Sequence, residues 1–296
     1  MKNLALVTYN QLPELNYSDR LLSDPFKKYG FATEIIPWDK KNVRWKDFDL
    51  VIIRSCWDYH HRIPEFLDWL NKMEILKGHI WNPVNIIRWN LNKKYLIELE
   101  KKNVPIIPTL FIDKKNVKNI RNLLNEKDWR KIIIKPAVGA SSYLITKIKA
   151  GELSSESPEI KSVLKQSEAI IQPFMEEITT EGEYSFIFIN KKFSHAIHKI
   201  PKKHEFRTQP EFGAKEVLYK PEQCLIIQTQ KILGEVDSPL LYARVDGLII
   251  DNQFYLMELE LIEPYLYFEK AENSAENFAE AAILLGTTLK NCACVM

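Results

Sequence analysis

Tyr242-Ala-Arg-Val-Asp-Gly-Leu-Ile-Ile-Asp-Asn-Gln-Phe-Tyr-Leu-Met-Glu-Leu-Glu-Leu261 is the stretch on which the reading of this 296-residue chain turns. It divides into two β-prone runs, Tyr242 to Asp251 and Phe254 to Leu261, joined through the turn-prone pair Asp251-Asn252. Glu258 and Glu260 stand two residues apart, so in a strand both side chains leave the same face. A hairpin would set Asp246 across from them. Three carboxylates on one face repel one another unless cations lie among them. Mg²⁺ suits such hard oxygen donors and normally accompanies substrate phosphates. An acidic strand face turned to water is the plain alternative. The apolar neighbours Leu256, Met257, Leu259, Leu261 and Ile262 weigh against it, because a solvated strand would not be so greasy around its acids.

Upstream of this hairpin the chain is β-rich, with strands expected at Tyr143 to Ile148, Ala169 to Phe174, Tyr184 to Ile189 and Phe193 to Ile200. Asn190-Lys191-Lys192 makes a hairpin turn, and a helix is expected from Glu222 to Leu233. An apolar strand, Lys131 to Lys135, runs into Pro136-Ala-Val-Gly139-Ala-Ser141-Ser142. A lysine ending such a strand must be paired or must face a cavity. The small residues after it let backbone N–H groups approach phosphate oxygens, although neither GxxxxGK[ST] nor GxGxxG is present. Gln172-Pro173-Phe174 ends another apolar strand. Gly151 to Ser157 reads as a mobile loop.

The first third alternates strands (Leu4 to Tyr9, Ala32 to Trp38, Asp49 to Ser55) with helices (Ser18 to Tyr29, ended by Gly30, and another from about Pro64). The unbroken Val51-Ile52-Ile53 marks a strand buried on both faces, as in a parallel sheet. Further helices are expected over Asn92 to Lys102, Asn116 to Asn125 and Ala275 to Leu289. The fold class is therefore α/β (α+β): a small doubly wound lobe over residues 1–88, a central lobe over 89–175 and a C-terminal lobe over 176–296.

Composition narrows the function. A formal charge of +2 disfavours nucleic acid or an anionic membrane as partner. Nothing approaches the roughly 20 apolar residues of a membrane span, and the N-terminus lacks a signal-peptide pattern. Cys56, Cys224, Cys292 and Cys294 form no CxxC pair and are expected as reduced thiols in a cytoplasmic protein. Ala293 occupies the place where a prenylation box needs cysteine, so the tail is read as inert. The sequence carries no signal of oligomeric state. Candidates for contact with substrate are Arg54, Asp58, Arg88, His195, Lys199 and Arg207, all near strand ends or loops, where open α/β sheets place ligands. Each is as readily a surface ion pair. His195 and His198, on one strand with no third ligand, are read as structural rather than metal-binding, and Trp57, Trp69 and Trp89 as core.

Taken in order, Asn90-x-x-Lys93, Ile134-Lys135-Pro136, Gln172-Pro173-Phe174, Gly182-Glu183, Arg244-x-Asp246 and Glu258-x-Glu260 resemble the ATP-grasp superfamily, in its glutathione-synthetase-like branch and the cycloserine-pathway cyclo-ligase group. Arg54-Ser-Cys-Trp57-Asp58-Tyr59, Trp89-Asn90, Ser194-His195-Ala-x-x-Lys199, Phe206-Arg207 and Tyr242-Ala-Arg-Val-Asp-Gly247 are similar to the same group, so the likeness covers about residues 50–268. The resemblance implies a pre-ATP-grasp lobe followed by a two-lobed ATP-grasp domain. ATP would be held by Lys93 and Lys135 on its phosphates, with Gly139, Ser141 and Ser142 closing over them. Gln172, Pro173 and Phe174 would meet adenine, and Glu183 the ribose or a lysine. Asp246, Glu258 and Glu260 would bind Mg²⁺, two ions being expected, and Arg244 would stabilise the transferring phosphoryl group. Many relatives carry Asn at the position of Glu260, so a third carboxylate is a departure. The implied activity is ATP-dependent carbon–nitrogen ligation of a small-molecule carboxylate to an amine through an acyl phosphate. No side-chain nucleophile is needed, and no Ser/His/Asp or Cys/His constellation is evident. A nucleotide-binding regulator without turnover and a phosphotransferase on the same fold are the rival readings.

Overall fold

The computed structural model describes residues 1–76, 79–140 and 142–293, with the side chains of 287–293 excepted; Ser141 and Cys294 therefore lie outside the described residues. In chain order the elements are β1 (Lys2–Thr8), α1 (Tyr17–Arg20), α2 (Ser23–Lys28), β2 (Phe31–Pro37), β3 (Leu50–Ile53), α3 (Ile63–Met73), β4 (Ile80–Trp81), α4 (Val84–Asn90) and α5 (Tyr95–Lys101). There follow β5 (Leu110–Ile112), α6 (Ile120–Asn125), β6 (Lys131–Pro136), β7 (Thr146–Lys149), α7 (Pro158–Leu164), β8 (Ala169–Pro173) and α8 (Glu177–Thr180). The remainder is β9 (Glu183–Ile189), β10 (Lys192–Ile200), β11 (Lys215–Tyr219), α9 (Gln223–Gly234), β12 (Tyr242–Ile250), β13 (Gln253–Glu260) and α10 (Ser274–Ala293).

Three sheets result. The first is parallel, in the order β2-β1-β3-β4. Its strands are buried on both faces. Leu4, Leu6, Leu50 and Ile52 pack with α2 and α10, while Ala5, Val7, Val51 and Ile53 pack with α3. That two-sided burial is why Val51-Ile52-Ile53 shows no alternation. The other two sheets are antiparallel, in the orders β5-β8-β6-β7 and β11-β10-β9-β12-β13. On the four-stranded sheet Ile132, Ile134, Ala169 and Ile171 turn to a core shared with Ile120, Leu124, Ile160 and Val163. The alternate residues Ile133, Lys135 and Gln172 turn the other way, toward the five-stranded sheet. On that larger sheet Phe186, Phe188, Ala243, Val245 and Phe254 pack with α5 and α9. Its opposite face carries Arg244 and Asp246, and a small core of Ile107, Phe174, Ile178 and Leu248 joins the two sheets.

Several elements depart from the sequence expectations. The helix expected over Ser18 to Tyr29 is two short helices, α1 and α2, split where Leu21 and Leu22 pass between them. Asn16 caps the first, its side chain accepting from the Asp19 N–H at 2.9 Å. Tyr143 and Leu144 stay outside β7, with Leu144 at φ 54° in a turn. Gly151 to Ser157 starts inside a 3₁₀ turn (Ala150–Glu152) and continues as a loop that carries buried Leu153 and Ser157 Oγ, which accepts from the Ser154 N–H at 2.9 Å. Helices α4 and α7 and strand β11 lie where the sequence reading placed no element. Both hairpin turns form as expected, with positive φ at Asn190 and Lys191 and at Asp251 and Asn252.

Candidate active site

The two antiparallel sheets face one another across two adjoining cavities, of about 420 and 120 Å³. In β12 the period of two sends Arg244 and Asp246 to the same side, and the register with β13 puts Arg244 opposite Glu260 and Asp246 opposite Glu258. A bulge follows between Asp246 and Gly247. Only glycine fits there: a Cβ on Gly247 would lie 2.2 Å from the Tyr255 carbonyl oxygen. The hairpin expected from the sequence thus brings the three carboxylates to one face.

The cations among them belong to the protein itself. Arg244 donates from Nε to both Asp246 oxygens at 3.0 Å, from Nη2 to Asp246 at 2.9 Å and to Glu260 at 2.5 Å, and from Nη1 to the Tyr265 carbonyl at 3.1 Å. Ser185 Oγ donates to Asp246 Oδ1 at 2.5 Å. Lys199 Nζ lies 3.1 Å from Glu183 and 3.8 Å from Asp246. Burial alone would depress the Lys199 ammonium, but the Asp246 and Glu183 charges hold its pKa above the usual lysine value. Burial raises the Glu260 carboxyl to about 7 even though Arg244 opposes it. On the other side, Lys93 Nζ donates to the Gly139 carbonyl at 2.7 Å and pairs with Glu258 at 2.9 Å. Lys135, on β6, is 7% exposed and has no hydrogen bond or ion pair among the described residues; burial lowers its pKa.

Asp246 is thus engaged through both oxygens, and among the described residues no group of three or more carboxylate, histidine or cysteine side chains is arranged to hold a metal ion. Glu258 and Glu260 are hard oxygen donors that line both cavities, and each retains capacity beyond its single cationic partner. That pair fits a divalent cation; Asp246 joins it only where the Arg244 fork releases an oxygen.

Of the residues expected around nucleotide, Lys93, Lys135, Gly139 and Ser142 line the larger cavity, while Lys135, Ser142, Gln172, Pro173, Phe174 and Glu183 line the smaller. Ser141 lies outside the described residues. Gln172 Nε2 donates to Thr109 Oγ1 at 2.9 Å, and Phe174 meets Phe206 edge-on with Lys147 Nζ 4.1 Å from its ring centre. Glu183 accepts from Lys199 and, at 2.5 Å, from Thr208 Oγ1, so of the two partners expected for it the lysine is present.

The residues expected at substrate divide. Lys199 and Arg207 line the cavities, Arg207 held by Glu205 at 2.7 Å and stacked 3.6 Å from the Phe212 ring centre. Arg54 does not reach them. Its side chain is fully buried, paired with Asp19 at 2.9 Å and donating to the Pro264 carbonyl at 2.6 Å. Asp58 is turned to Trp38 Nε1, at 2.8 Å, and to Arg62. Arg88 lies against Asn71 and Glu74 on the outside of α4. His195 is buried with Nε2 donating to the Leu266 carbonyl at 3.0 Å, a structural contact of the kind expected for it. Each of these four is claimed by a partner distant in sequence. Trp57, expected in the core, instead lines the larger cavity beside Tyr59, Tyr265 and Tyr267. Glu263 lines it too and was not foreseen, although a glutamate followed by proline directly after an acidic strand was there to be seen.

Residues 4–82 match the model of the N-terminal domain of D-cycloserine synthetase DcsG. Residues 98–250, just over half of the 296, match that of the prokaryotic glutathione synthetase ATP-grasp domain. The chain is 28% identical over 290 residues to the cycloserine biosynthesis protein DcsG of Streptomyces lavendulae, covering 94% of this chain and 97% of that one. The crystal structure of D-cycloserine synthetase DcsG superposes with a TM-score of 0.86 at 26% identity, covering 96% of this chain and 99% of that one. D-alanine–D-alanine ligase from Bacillus anthracis, at 13% identity and a TM-score of 0.69 over 98% of this chain and 99% of that one, shares the fold. With two antiparallel sheets closing on a lysine- and carboxylate-lined cleft, and with these matches, the chain belongs to the ATP-grasp superfamily, in its glutathione-synthetase-like, cycloserine-pathway cyclo-ligase-like branch.

Proposed function

We propose that the protein joins the carboxylate of a small, amino-acid-like substrate to a nitrogen nucleophile at the expense of ATP, through an acyl phosphate. The observation that carries this reading is the cleft itself. Lys135 is a buried ammonium with no hydrogen bond or ion pair among the described residues, facing Glu258 and Glu260 across the gap between the sheets. An uncompensated buried cation is costly and is relieved by an anion, for which ATP phosphates are the natural candidate. Bound ATP and Mg²⁺ would supply the leaving group that a free carboxylate lacks.

The chain's own groups account for the rest. The apolar slot formed by Ile107, Phe174 and Met257 suits adenine, and Gln172 and Pro173 border it. Lys93 and Lys135 suit phosphates approached from two sides, with Gly139 and Ser142 at the turn beside them. Glu258 and Glu260 would hold Mg²⁺, and a second ion would require oxygens from Asp246. Arg244, fixed by Asp246 and by the Tyr265 carbonyl, keeps a preorganised positive charge where the phosphoryl group would pass. Lys199 and Arg207 would orient the substrate. In this reading residues 1–88 form the substrate lobe, 89–175 the central lobe and 176–296 the lobe with the metal site. Catalysis is then positioning and charge stabilisation, with no covalent enzyme intermediate.

ADP release with Mg²⁺ and ATP against a panel of amino acids and their derivatives, singly and in pairs, tests it. Release that depends on an acid–amine pair and yields an amide supports the ligase. A stable phosphorylated product without amide would point to a phosphotransferase, and ATP binding with silence across the panel to a binding module.

A further inference from the structure

Past the end of β13 the chain leaves the sheet as Ile262-Glu263-Pro264-Tyr265-Leu266, a stretch buried except at half-buried Tyr265 and with no strand partner among the described residues. Buried carbonyls without a ladder must find other donors. Here all five do. Ile262 accepts from Tyr242 Oη at 2.8 Å, Glu263 from Trp57 Nε1 at 3.1 Å and Pro264 from Arg54 Nη2 at 2.6 Å. Tyr265 accepts from Arg244 Nη1 at 3.1 Å and Leu266 from His195 Nε2 at 3.0 Å. Donors from the N-terminal lobe and from the five-stranded sheet thus fix the backbone residue by residue.

On this fixed backbone the Glu263 side chain is the exception. Glu263 is 7% exposed and lines the larger cavity, yet its carboxyl has no hydrogen bond or ion pair among the described residues. Of the four cations that line the cavity, three are committed elsewhere: Lys93 to Glu258 and the Gly139 carbonyl, Arg244 to Asp246 and Glu260, Lys199 to Glu183; the fourth, Lys135, is the one assigned above to phosphate. Burial, reinforced by Glu260, pushes the Glu263 carboxyl well above the usual carboxylate range. A buried carboxyl kept bare on so rigid a support is costly to the empty protein, and a cation brought by the ligand would offset that cost. Beside it stand the Trp57 and Tyr265 rings, centroids 6.4 Å apart, whose faces also attract an ammonium group.

We propose that Glu263 is the specificity residue for the substrate's ammonium group, seating it beside Trp57 and Tyr265 in the larger cavity. The proposal rests on the ligase reading and names the group by which the substrate is selected. It excludes simple carboxylic acids as good substrates and favours those with a free amine near the reacting carboxylate. Arg54 and Trp57 act through it as positioning residues, since they hold the backbone on either side of the carboxyl.

The test pairs a shape-matched cation with a neutral analogue. Alaninamide, both enantiomers, and propionamide are titrated into the full-length wild type and into Glu263→Gln, following tryptophan fluorescence and protein-detected NMR. The ammonium probe should bind the wild type at least tenfold more tightly than propionamide does, and Glu263→Gln should abolish that preference. The melting temperature of the ligand-free variant should stay level or rise, because a bare buried carboxyl has been removed; a fall of several degrees would mean a structural role and would overturn the assignment. Equal binding of the two probes, retention of the preference in Glu263→Gln, or no saturable binding of alaninamide would each overturn it as well. In the ADP-release assay the variant should raise KM for amino-bearing acids at least tenfold with KM for ATP unchanged. Unchanged KM for those acids would sink this inference while leaving the ligase standing. Absence of any ADP release would sink the ligase while the probe titration still reports on Glu263.

Discussion

Two sets of buried charges lie within the same cleft and behave in opposite ways. Around β12, every ionic group has a partner: Arg244 grips Asp246 and Glu260, Ser185 and Lys199 attend Asp246, and Glu183 holds Lys199 and Thr208. Arg54 and Asp19 form a similar pair beneath the N-terminal sheet, in which Arg54 Nη1 alone is left without a hydrogen bond among the described residues. Lys135 and Glu263, each 7% exposed, have no partner among the described residues. Closed pairs are what a fold can hold at modest cost when nothing is bound; open buried ionisable groups, whether charged or driven neutral by burial, are a standing penalty that the empty protein bears. The difference separates groups that shape the cleft from groups that await a ligand, and it does so where sequence alone had named both Arg54, for substrate, and Lys135, for phosphate, as functional.

The comparison can be broken most forcefully at Glu258, which belongs to both sets, pairing with Lys93 while lining the cavities. Glu258→Gln should lower turnover by roughly a thousandfold or more, the scale of losing a preorganised charge contact, with the thermal transition unchanged. A wild-type rate in that variant removes Glu258 from the chemistry. At the closed pair the effect should fall on stability instead. Arg54→Met strands Asp19, at 0% exposure, and should cost about 3–5 kcal/mol in denaturant unfolding. Arg54→Met with Asp19→Leu should recover much of that loss. No recovery would mean that the Arg54 bond to the Pro264 carbonyl, not the ion pair, is the part that matters. At the open charge the pattern should reverse: Lys135→Ala costs about 3 kcal/mol in kcat/KM, and Lys135→Met should melt no lower than wild type. Unchanged kcat/KM in Lys135→Ala would contradict its assignment to phosphate.

Legibility in the sequence followed the same division. The Asp246, Glu258 and Glu260 face was readable because it depends only on the period of two within one hairpin, and the chain folds it locally; Arg244 came only with the family resemblance. Lys135 was readable because an apolar strand must do something with a terminal ammonium. Arg54, Asp58, Arg88 and His195 were ambiguous because each finds its partner in a residue that only the fold brings near. For Arg54 that is Asp19, 35 residues away, and the Pro264 carbonyl, 210 residues away. Strand β11 escaped notice because it is an edge strand, exposed along most of its length, with no regular apolar alternation. Helices α4 and α7, seven residues each, are too short for a helical period to register. Glu263 escaped because it lies just beyond the strand, where periodicity has stopped and no local rule says which way a side chain points.

The smallest effect sharpens the comparison through pH. His195 is buried and neutral: Nε2 donates to the Leu266 carbonyl, which leaves Nδ1 to accept from Ser194 Oγ at 2.9 Å. Burial lowers its pKa to about 4, against the contribution of the Leu266 bond. The unfolded chain, with a histidine near pKa 6.5, therefore binds a proton that the folded protein refuses between pH 6.5 and about 4. Stability held above pH 6.5 is lost as pH falls through this window, by up to about 1.4 kcal/mol per pH unit. Replacing His195 by Gln keeps a donor for the Leu266 carbonyl and removes the titration. Urea unfolding of the two proteins should then give stabilities that converge as pH falls from 7 to 4.5, the wild type losing more. Parallel curves would mean that His195 takes up its proton in the folded protein as readily as in the unfolded chain, near pH 6.5. Below that pH it would be a third cation behind the Ile262–Leu266 segment, beside those of Arg54 and Arg244.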